Sequence, residues 1–276
     1  TLPSSILRTI QQYIPSLVTS HNHQQHPNNF KFDIRLENTE LFEKLFHLPI
    51  QIHMPSTLKG YFSDTEERLK IEGHFPQLTY NGTLYESGVI HCENSEDQIH
   101  TLLRGNMLMN SGAMLNLSLN AQAKEDRLET ELNWGNNTNV TYGGKLKAIT
   151  TFSKSDAPSP HLQADIEILP TQMILNDSIW NIHPSHIGFQ DGNMYIDNFL
   201  VKHREQHLRI DGKLTDTEKD SCLIDLNNVN VQYVLDILQF DDVQFGGFAT
   251  GNVHLKQALK EPIMSTHLNV HDFKVN

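Results

Sequence analysis

The chain of 276 residues has no run approaching 18 consecutive apolar residues, which excludes an ordinary transmembrane helix. Basic residues are few: 21 Lys and Arg stand against 33 Asp and Glu, a formal net charge of −12. Nucleic acid is therefore not expected as a partner, because phosphate binding needs clustered cations. Docking on an anionic membrane surface through charge is disfavoured for the same reason. Apolar residues are also scarce, at 38%, yet charged residues reach only 20%, so the deficit is filled by neutral polar residues. So thin an apolar supply argues against a sheet covered on both sides by helices. It suits strands with one buried face each. Cysteine is nearly absent: Cys92 and Cys222 form no zinc or redox spacing and read as two small buried thiols rather than a disulfide. Gly143-Gly144 and Gly246-Gly247 do not open helices, so no phosphate loop is present, and nucleophile-elbow spacing is missing. The opening Thr1-Leu2-Pro3-Ser4-Ser5 lacks the basic region and apolar core of a signal peptide, as well as an initiator Met. The last residues, Leu268–Asn276, stop within an alternating pattern. A piece of a longer protein is expected, with any targeting signal or anchor outside it.

What the chain does have is period two. From Ala113 to Ala123 the odd positions are apolar, and the even positions after Met114 are polar. Leu128, Thr130, Leu132 and Trp134 alternate with Glu129, Glu131 and Asn133. Leu162, Ala164, Ile166 and Ile168 alternate with Gln163, Asp165 and Glu167, and Leu208, Ile210 and Gly212 with Arg209 and Asp211. Strands dry on one side point to antiparallel sheet. Asn81-Gly82, Asp191-Gly192 and Asp211-Gly212 read as turns. Helices are expected only near 4–15, where Ile6, Ile10 and Ile14 form one stripe, near 38–47, capped by Asn38, and near 230–239. The fold class expected is all-β: an elongated repeat sheet with an apolar inner face and a few short helices.

Two segments echo each other at a constant offset. Ile34, Leu36, Asn38, Leu41 and Leu45 match Ile224, Leu226, Asn228, Val231 and Leu235. Each copy reads as a strand, an Asn-led turn and a short helix. Tyr142-Gly143-Gly144 echoes Phe245-Gly246-Gly247, each followed by a strand, a proline (Pro160, Pro262) and another alternating strand. The organisation expected is an N-terminal helix and polar loop over 1–29, then a β-rich repeat region over 30–276, with an internal repeat at 30–46 and 220–236. Degenerate repeats suggest units that bury their dry faces on their neighbours.

The block Trp180-Asn181-Ile182-His183-Pro184, then Asp191-Gly192-Asn193-Met194-Tyr195-Ile196-Asp197-Asn198-Phe199, then Gln206-His207-Leu208-Arg209-Ile210-Asp211-Gly212, resembles a recurring block of TamB-like proteins of Bacteroides-type bacteria, within the wider AsmA-like group. Ile224-Asp225-Leu226-Asn227-Asn228-Val229-Asn230 and Phe245-Gly246-Gly247 also look like that family's pattern. The likeness is best over 178–276 and looser over 30–177. The resemblance implies a β-taco, a bent sheet with an apolar groove, in a periplasmic protein anchored to the inner membrane by a segment absent from this sequence. It implies phospholipid acyl chains and an outer-membrane barrel assembly protein of the Omp85 type as partners. The implied roles are assistance to outer-membrane protein assembly and phospholipid movement between the membranes.

No catalytic residue, metal site or cofactor is expected. His21, His23 and His26 place donors close together, but in a polar loop with no nearby Cys and no carboxylate pattern to orient them. Asp165 and Glu167 share one strand face, as a glycosidase pair would, but alternation with Leu162, Ala164, Ile166 and Ile168 makes that face the solvated one. Asp241-Asp242 reads as a turn rather than a cation site. The positions that carry a function in this reading are the dry ones: Leu115, Leu117, Leu119, Leu128, Leu132, Leu146, Leu162, Ile166 and Ile168, aligned as the lining of a groove. A trough needs only such a row, because each methylene withdrawn from water is worth about 0.8 kcal/mol. The competing expectation is an extracellular or surface module binding glycan or protein, for which Tyr61, Phe62, Tyr80 and Tyr85 are the available aromatic cluster.

Overall fold

The computed structural model describes residues 2–17, 28–37, 39, 50–95, 97–109, 112–136, 142–155, 161–175, 177–231 and 245–275. The helices expected near 38–47 and 230–239, the His21–His26 loop and Asp241-Asp242 lie outside these residues or at their margins. The chain is all-β and divides into two compact units, 1–140 and 141–276. Among the described residues every strand pairing is antiparallel.

Unit 1 begins with helix α1 (Leu2–Tyr13) and a short 3-10 turn (Pro15–Leu17). Its strands are β1 (Asn29–Leu36), β2 (Ile50–Ile52), β3 (Ser56–Ser63), β4 (Arg68–Tyr80), β5 (Thr83–Asn94), β6 (Ile99–Leu108), β7 (Met114–Lys124) and β8 (Arg127–Asn136). They form a ladder β1–β3–β4–β5–β6–β7–β8, with β2 beside the far end of β4. The alternating segment 113–123 is β7 and its partner 128–134 is β8, with Leu119 facing Leu132 and Leu117 facing Trp134. Asn81-Gly82 makes the two-residue turn between β4 and β5, both residues at positive φ (48° and 83°). That is the twist a tight hairpin requires.

Helix α1 lies across one end of this sheet. Arg8 pairs with Asp64 at 2.7 Å in the β3–β4 turn. The Tyr13 hydroxyl donates to the Ser95 carbonyl and accepts from Asn94 Nδ2 beside the β5–β6 turn. Asp126, in the β7–β8 turn, accepts from the Ser16 amide and hydroxyl and donates its own amide to the Tyr13 carbonyl. Three hairpin ends are tied to one helix, whose Thr9, Tyr13 and Ile14 are buried. Of the stripe expected from Ile6, Ile10 and Ile14, Ile10 is half-buried and Ile14 buried, and the helix caps the end of the sheet where Leu69, Ile99 and Ala123 are also buried.

Unit 2 contains β9 (Tyr142–Lys154), β10 (Leu162–Ile168), β11 (Thr171–Leu175), β12 (Ser178–Ile182), β13 (Ser185–Gln190), β14 (Asn193–His203), β15 (Gln206–Leu214), β16 (Ser221–Asn230), β17 (Phe245–Lys256) and β18 (Ile263–Val275). β10 and β11 together occupy one position beside β9, and β13 and β12 the next. The two interruptions fall side by side: Pro170 separates β10 from β11 and Pro184 separates β12 from β13, in one unbroken register. Proline cannot donate to a ladder, so the rows stop there. The residues just before them still pair, Leu169 donating to Lys147 O and His183 to Leu200 O, each at 2.9 Å. From β14 to β18 the strands follow as a plain meander.

Asp191-Gly192 makes the β13–β14 turn as expected, both residues at positive φ. Asp211-Gly212 does not turn: it lies inside β15, opposite a bulge in β14. There the Asp211 carboxylate accepts the Asn198 amide at 3.0 Å, with Asn198 at φ 50°. The same device recurs two strands on, where Thr250 Oγ1 accepts the amide of Asn228, at φ 51° in a bulge of β16. Of the internal repeat, both strands are present as β1 and β16. Ile34 is 38% exposed on β1, which among the described residues pairs with β3 alone.

Candidate functional site: an apolar groove in unit 1

The dry faces of β4 to β8 form an apolar groove of about 380 Å³. Strand pairing explains its floor. Ile90 faces Leu103, Leu103 faces Leu119, and Leu119 faces Leu132, so one row of branched side chains crosses the strands. The adjacent row is hollow: Phe75 faces Gly88, Gly88 lies at a bulge opposite Gly105, and Gly105 faces Leu117. Two glycines in neighbouring strands remove two side chains from the middle of the row. A Cβ built on Gly105 would rest in ordinary van der Waals contact, 3.6 Å from the Glu86 carbonyl oxygen and from the Gly88 Cα, so a side chain can start there without a clash. Phe75 leans over Gly88, whose Cβ would approach the Phe75 carbonyl at 3.1 Å. Tyr80, Tyr85 and Leu78 complete the end away from α1. Five strands span four spacings of about 4.8 Å, so the groove runs roughly 19 Å across the sheet.

Of the nine expected lining residues, Leu117, Leu119 and Leu132 line this groove. Leu115 is buried on the same strand, and Leu128 is half-buried beside Ala123 near the α1 end. The other four belong to unit 2. Leu146, Ile166 and Ile168 pack into a closed core around Trp180, Ile182 and Val201, with Trp180 2% exposed. Leu162 is half-buried at the start of β10. Sequence reasoning missed Phe75, Leu78, Gly88 and Ile90, because Pro76 and the bulge at Ser87 shift the phase of alternation in β4 and β5, and Leu103 and Gly105, because the adjacent Leu102 and the bare glycine blur the alternation of β6.

The opposite face is wet and charged. Lys70 pairs with Glu72 at 2.8 Å and Lys59 with Asp33 at 3.1 Å, while His91 sits within 3.7 Å of Glu72 and 3.4 Å of Glu93. The hydrogen bond from Lys70, reinforced by its charge, holds the Glu72 carboxyl below its usual range and raises Lys70 in return. These groups are exposed and contribute little stability. Asp165 and Glu167 also occupy a solvent-facing row, where Asp165 is 3.9 Å from His186. The four aromatics considered for glycan binding are separated. Phe62 is buried, Tyr61 points to the other face and donates to Glu66, and Tyr80 and Tyr85 line the groove. Among the described residues no group of three or more His, Cys, Asp or Glu is arranged to hold a metal ion. Both cysteines are free, Cys222 buried and Cys92 half-buried, and burial pushes both thiols up from their ordinary range.

No family model, curated protein or solved structure matches the chain.

Proposed function

We propose that the chain acts without chemistry, as an apolar carrier and scaffold whose unit 1 groove holds an aliphatic chain. The observation that carries this reading is the glycine-floored groove, lined almost wholly by apolar atoms and bare of side chains at Gly88 and Gly105. A concave, mostly apolar groove of this volume is the usual form of a small-molecule site. Magnitude limits the ligand. Association costs at least about 4 kcal/mol, and each methylene returns about 0.8, so a short hydrocarbon gains nothing. A chain of roughly ten buried methylenes recovers about 8 kcal/mol before that cost. The acyl chain of a phospholipid meets the requirement. The resemblance to TamB-like proteins supplies the setting: a periplasmic conduit or scaffold between inner and outer membrane, anchored outside this sequence and working beside an Omp85-type assembly protein.

The test fills the groove without disturbing the fold. Gly105→Leu adds a side chain whose Cβ clashes with nothing and whose position lines the groove. Lipid extracted from the purified chain and weighed by mass spectrometry should fall several-fold in the variant, with the melting temperature unchanged or raised. Photo-crosslinking in cells adds a second measurement: Leu117 should yield lipid adducts, and its neighbour Ser118, pointing the other way along β7, should not. Equal labelling at the two positions, or lipid retained by Gly105→Leu, sinks the carrier reading.

A further inference from the structure

The dry face of unit 1 carries Gly60 and Gly73 as well as the two glycines of the groove. The chain's own rings fill the first pair. The Phe32 ring lies over Gly60. The Phe75 ring lies over Gly73, where a Cβ would stand 2.8 Å from Phe75 Cε2 and 3.2 Å from Leu58 Cδ1. Gly73 is buried beneath it. No ring lies on Gly88 or Gly105: the nearest atoms are the Phe75 carbonyl and Cβ at the first, and backbone of Glu86 and Gly88 at the second.

Phe75 therefore stands between two bare spaces. Gly73 lies two residues back on the same strand and so on the same face. Gly88 lies opposite Phe75 on β5, with Gly105 beyond it. The Phe75 Cβ is only 3.2 Å from the place a Gly88 Cβ would take, so the ring pivots at the rim of the groove floor. Pro76 follows, and a residue before proline is held in the extended region, which leaves the side-chain torsions as the ring's freedom. Strand side chains populate two χ1 wells and lean along the strand. The flanks of the floor are filled, by Ile90 and Leu103 on one side and by Leu78 and Tyr85 on the other. A ring that leaves Gly73 finds bare backbone over Gly88 and Gly105.

We infer that Phe75 gates the groove and that Gly73 is the berth that holds the gate aside. With the ring on Gly73 the floor is clear for an aliphatic chain. With the ring over Gly88 the protein fills its own groove and the chain is shut out. Phe75 touches the ligand, and Gly73 is a positioning residue that acts through it. This inference rests on the carrier reading and adds to it the residue pair that controls entry.

Binding of dansylaminoundecanoic acid to the purified chain, followed by its fluorescence, tests the pair. In Gly73→Ala the new methyl takes the berth. Its close contacts are the far ends of the Phe75 and Leu58 side chains, which can move, so the melting temperature should stay near that of the parent. A ring driven over Gly88 displaces two or three methylenes of the probe, and affinity should fall roughly ten- to fifty-fold. Phe75→Leu removes the ring, so adding Gly73→Ala in that background should change affinity by no more than about twofold. A second measurement needs no change at Gly73: para-fluorophenylalanine at position 75 should give two fluorine resonances in the free chain, merging into one when the probe is added. If the parent binds the probe and Gly73→Ala binds it equally well, the inference falls and the carrier reading stands. An equal loss with and without the Phe75 ring overturns it, as does a single fluorine resonance that the probe leaves unmoved. A parent that binds no probe removes the carrier reading and this inference with it.

Discussion

Gly212 and Gly105 look alike in sequence, each a glycine within a strand, but the backbone assigns them opposite tolerances. Gly212 sits at φ +124°, a region essentially reserved for glycine, and a Cβ there would lie 2.4 Å from the Ser221 carbonyl oxygen and 3.1 Å from the Cys222 Cα. Both obstacles are backbone, so no rotamer change relieves them. Forcing an L-residue into such a conformation costs about 1–3 kcal/mol. Separating β15 from β16 also loosens the packing around Cys222, which is 1% exposed. Gly212→Ala should therefore cost about 3–5 kcal/mol, in the range kept for strain and disrupted packing. Gly105→Ala meets nothing within 3.6 Å and has no positive φ, so it should be neutral or stabilise by about 0.4–1 kcal/mol through the unfolded chain. The chain supplies its own reporters, because its two tryptophans fall one to each unit: Trp134 in unit 1 and buried Trp180 in unit 2. In a Trp134→Phe background, Trp180 fluorescence should follow a thermal transition lowered by roughly 10–20 °C in Gly212→Ala. In a Trp180→Phe background, Trp134 should show no loss in Gly105→Ala. A Trp180 transition within a degree or two of the parent would refute the strain argument.

Three further outcomes follow from the geometry. Asp126→Gly keeps a residue able to hold φ 61° but removes the carboxylate that accepts from Ser16, so α1 should detach more readily. Hydrogen exchange at the Ile14 amide should then accelerate by an amount equivalent to about 1–3 kcal/mol, and unchanged exchange would disprove the cap. Ile168→Ala in the unit 2 core should cost about 2–5 kcal/mol, whereas Ile263→Ala on the exposed edge should stay within about 0.5, as equilibrium urea melts followed at Trp180 will show. Burial raises the Cys222 and Cys92 thiols above 9.0, so the unfolded chain loses these protons first as pH rises. Stability is then complete below about pH 9 and declines above it. Replacing Cys222 by Ala should flatten that alkaline slope, and a slope unaltered by the change would discount the thiol.

How much could be read in advance depended on whether the responsible residues were neighbours in sequence. β7 was legible because its alternation is unbroken from Leu115 to Ala123 and its partner β8 follows after a two-residue turn. The groove floor was not, since Pro76 and the Ser87 bulge shift the dry face by one residue, and a one-residue shift exchanges the two faces of a strand. Asp191-Gly192 and Asp211-Gly212 are the same dipeptide with different outcomes. Both glycines have positive φ, which a tight turn and a bulge site each demand. The difference lies in the flanks: Gln190 pairs with Asn193 across the turn, while Asp211 reaches thirteen residues back to the Asn198 amide.

Several residues of the block 180–212 sit where the strand ladders are interrupted or shift register. Trp180 fills the core, and Pro184 stops the ladder beside the stop made by Pro170. Asn198 takes the left-handed conformation at the β14 bulge, Phe199 turns inward against the core, and Asp211-Gly212 receives the bulge from the next strand. Bulges add local bend and twist to a strand. A second set, Asn228 with Thr250-Gly251, repeats the operation farther along, Gly251 at φ +136° replacing Gly212. None of these residues needs to touch a ligand to matter. The prolines and the asparagine-glycine pairs of the block mark where the antiparallel ladder stops or slips by a residue. In unit 1 the bulge at Ser87 and the bare backbone of Gly88 and Gly105 lie under the groove, where two missing side chains leave room on the dry face.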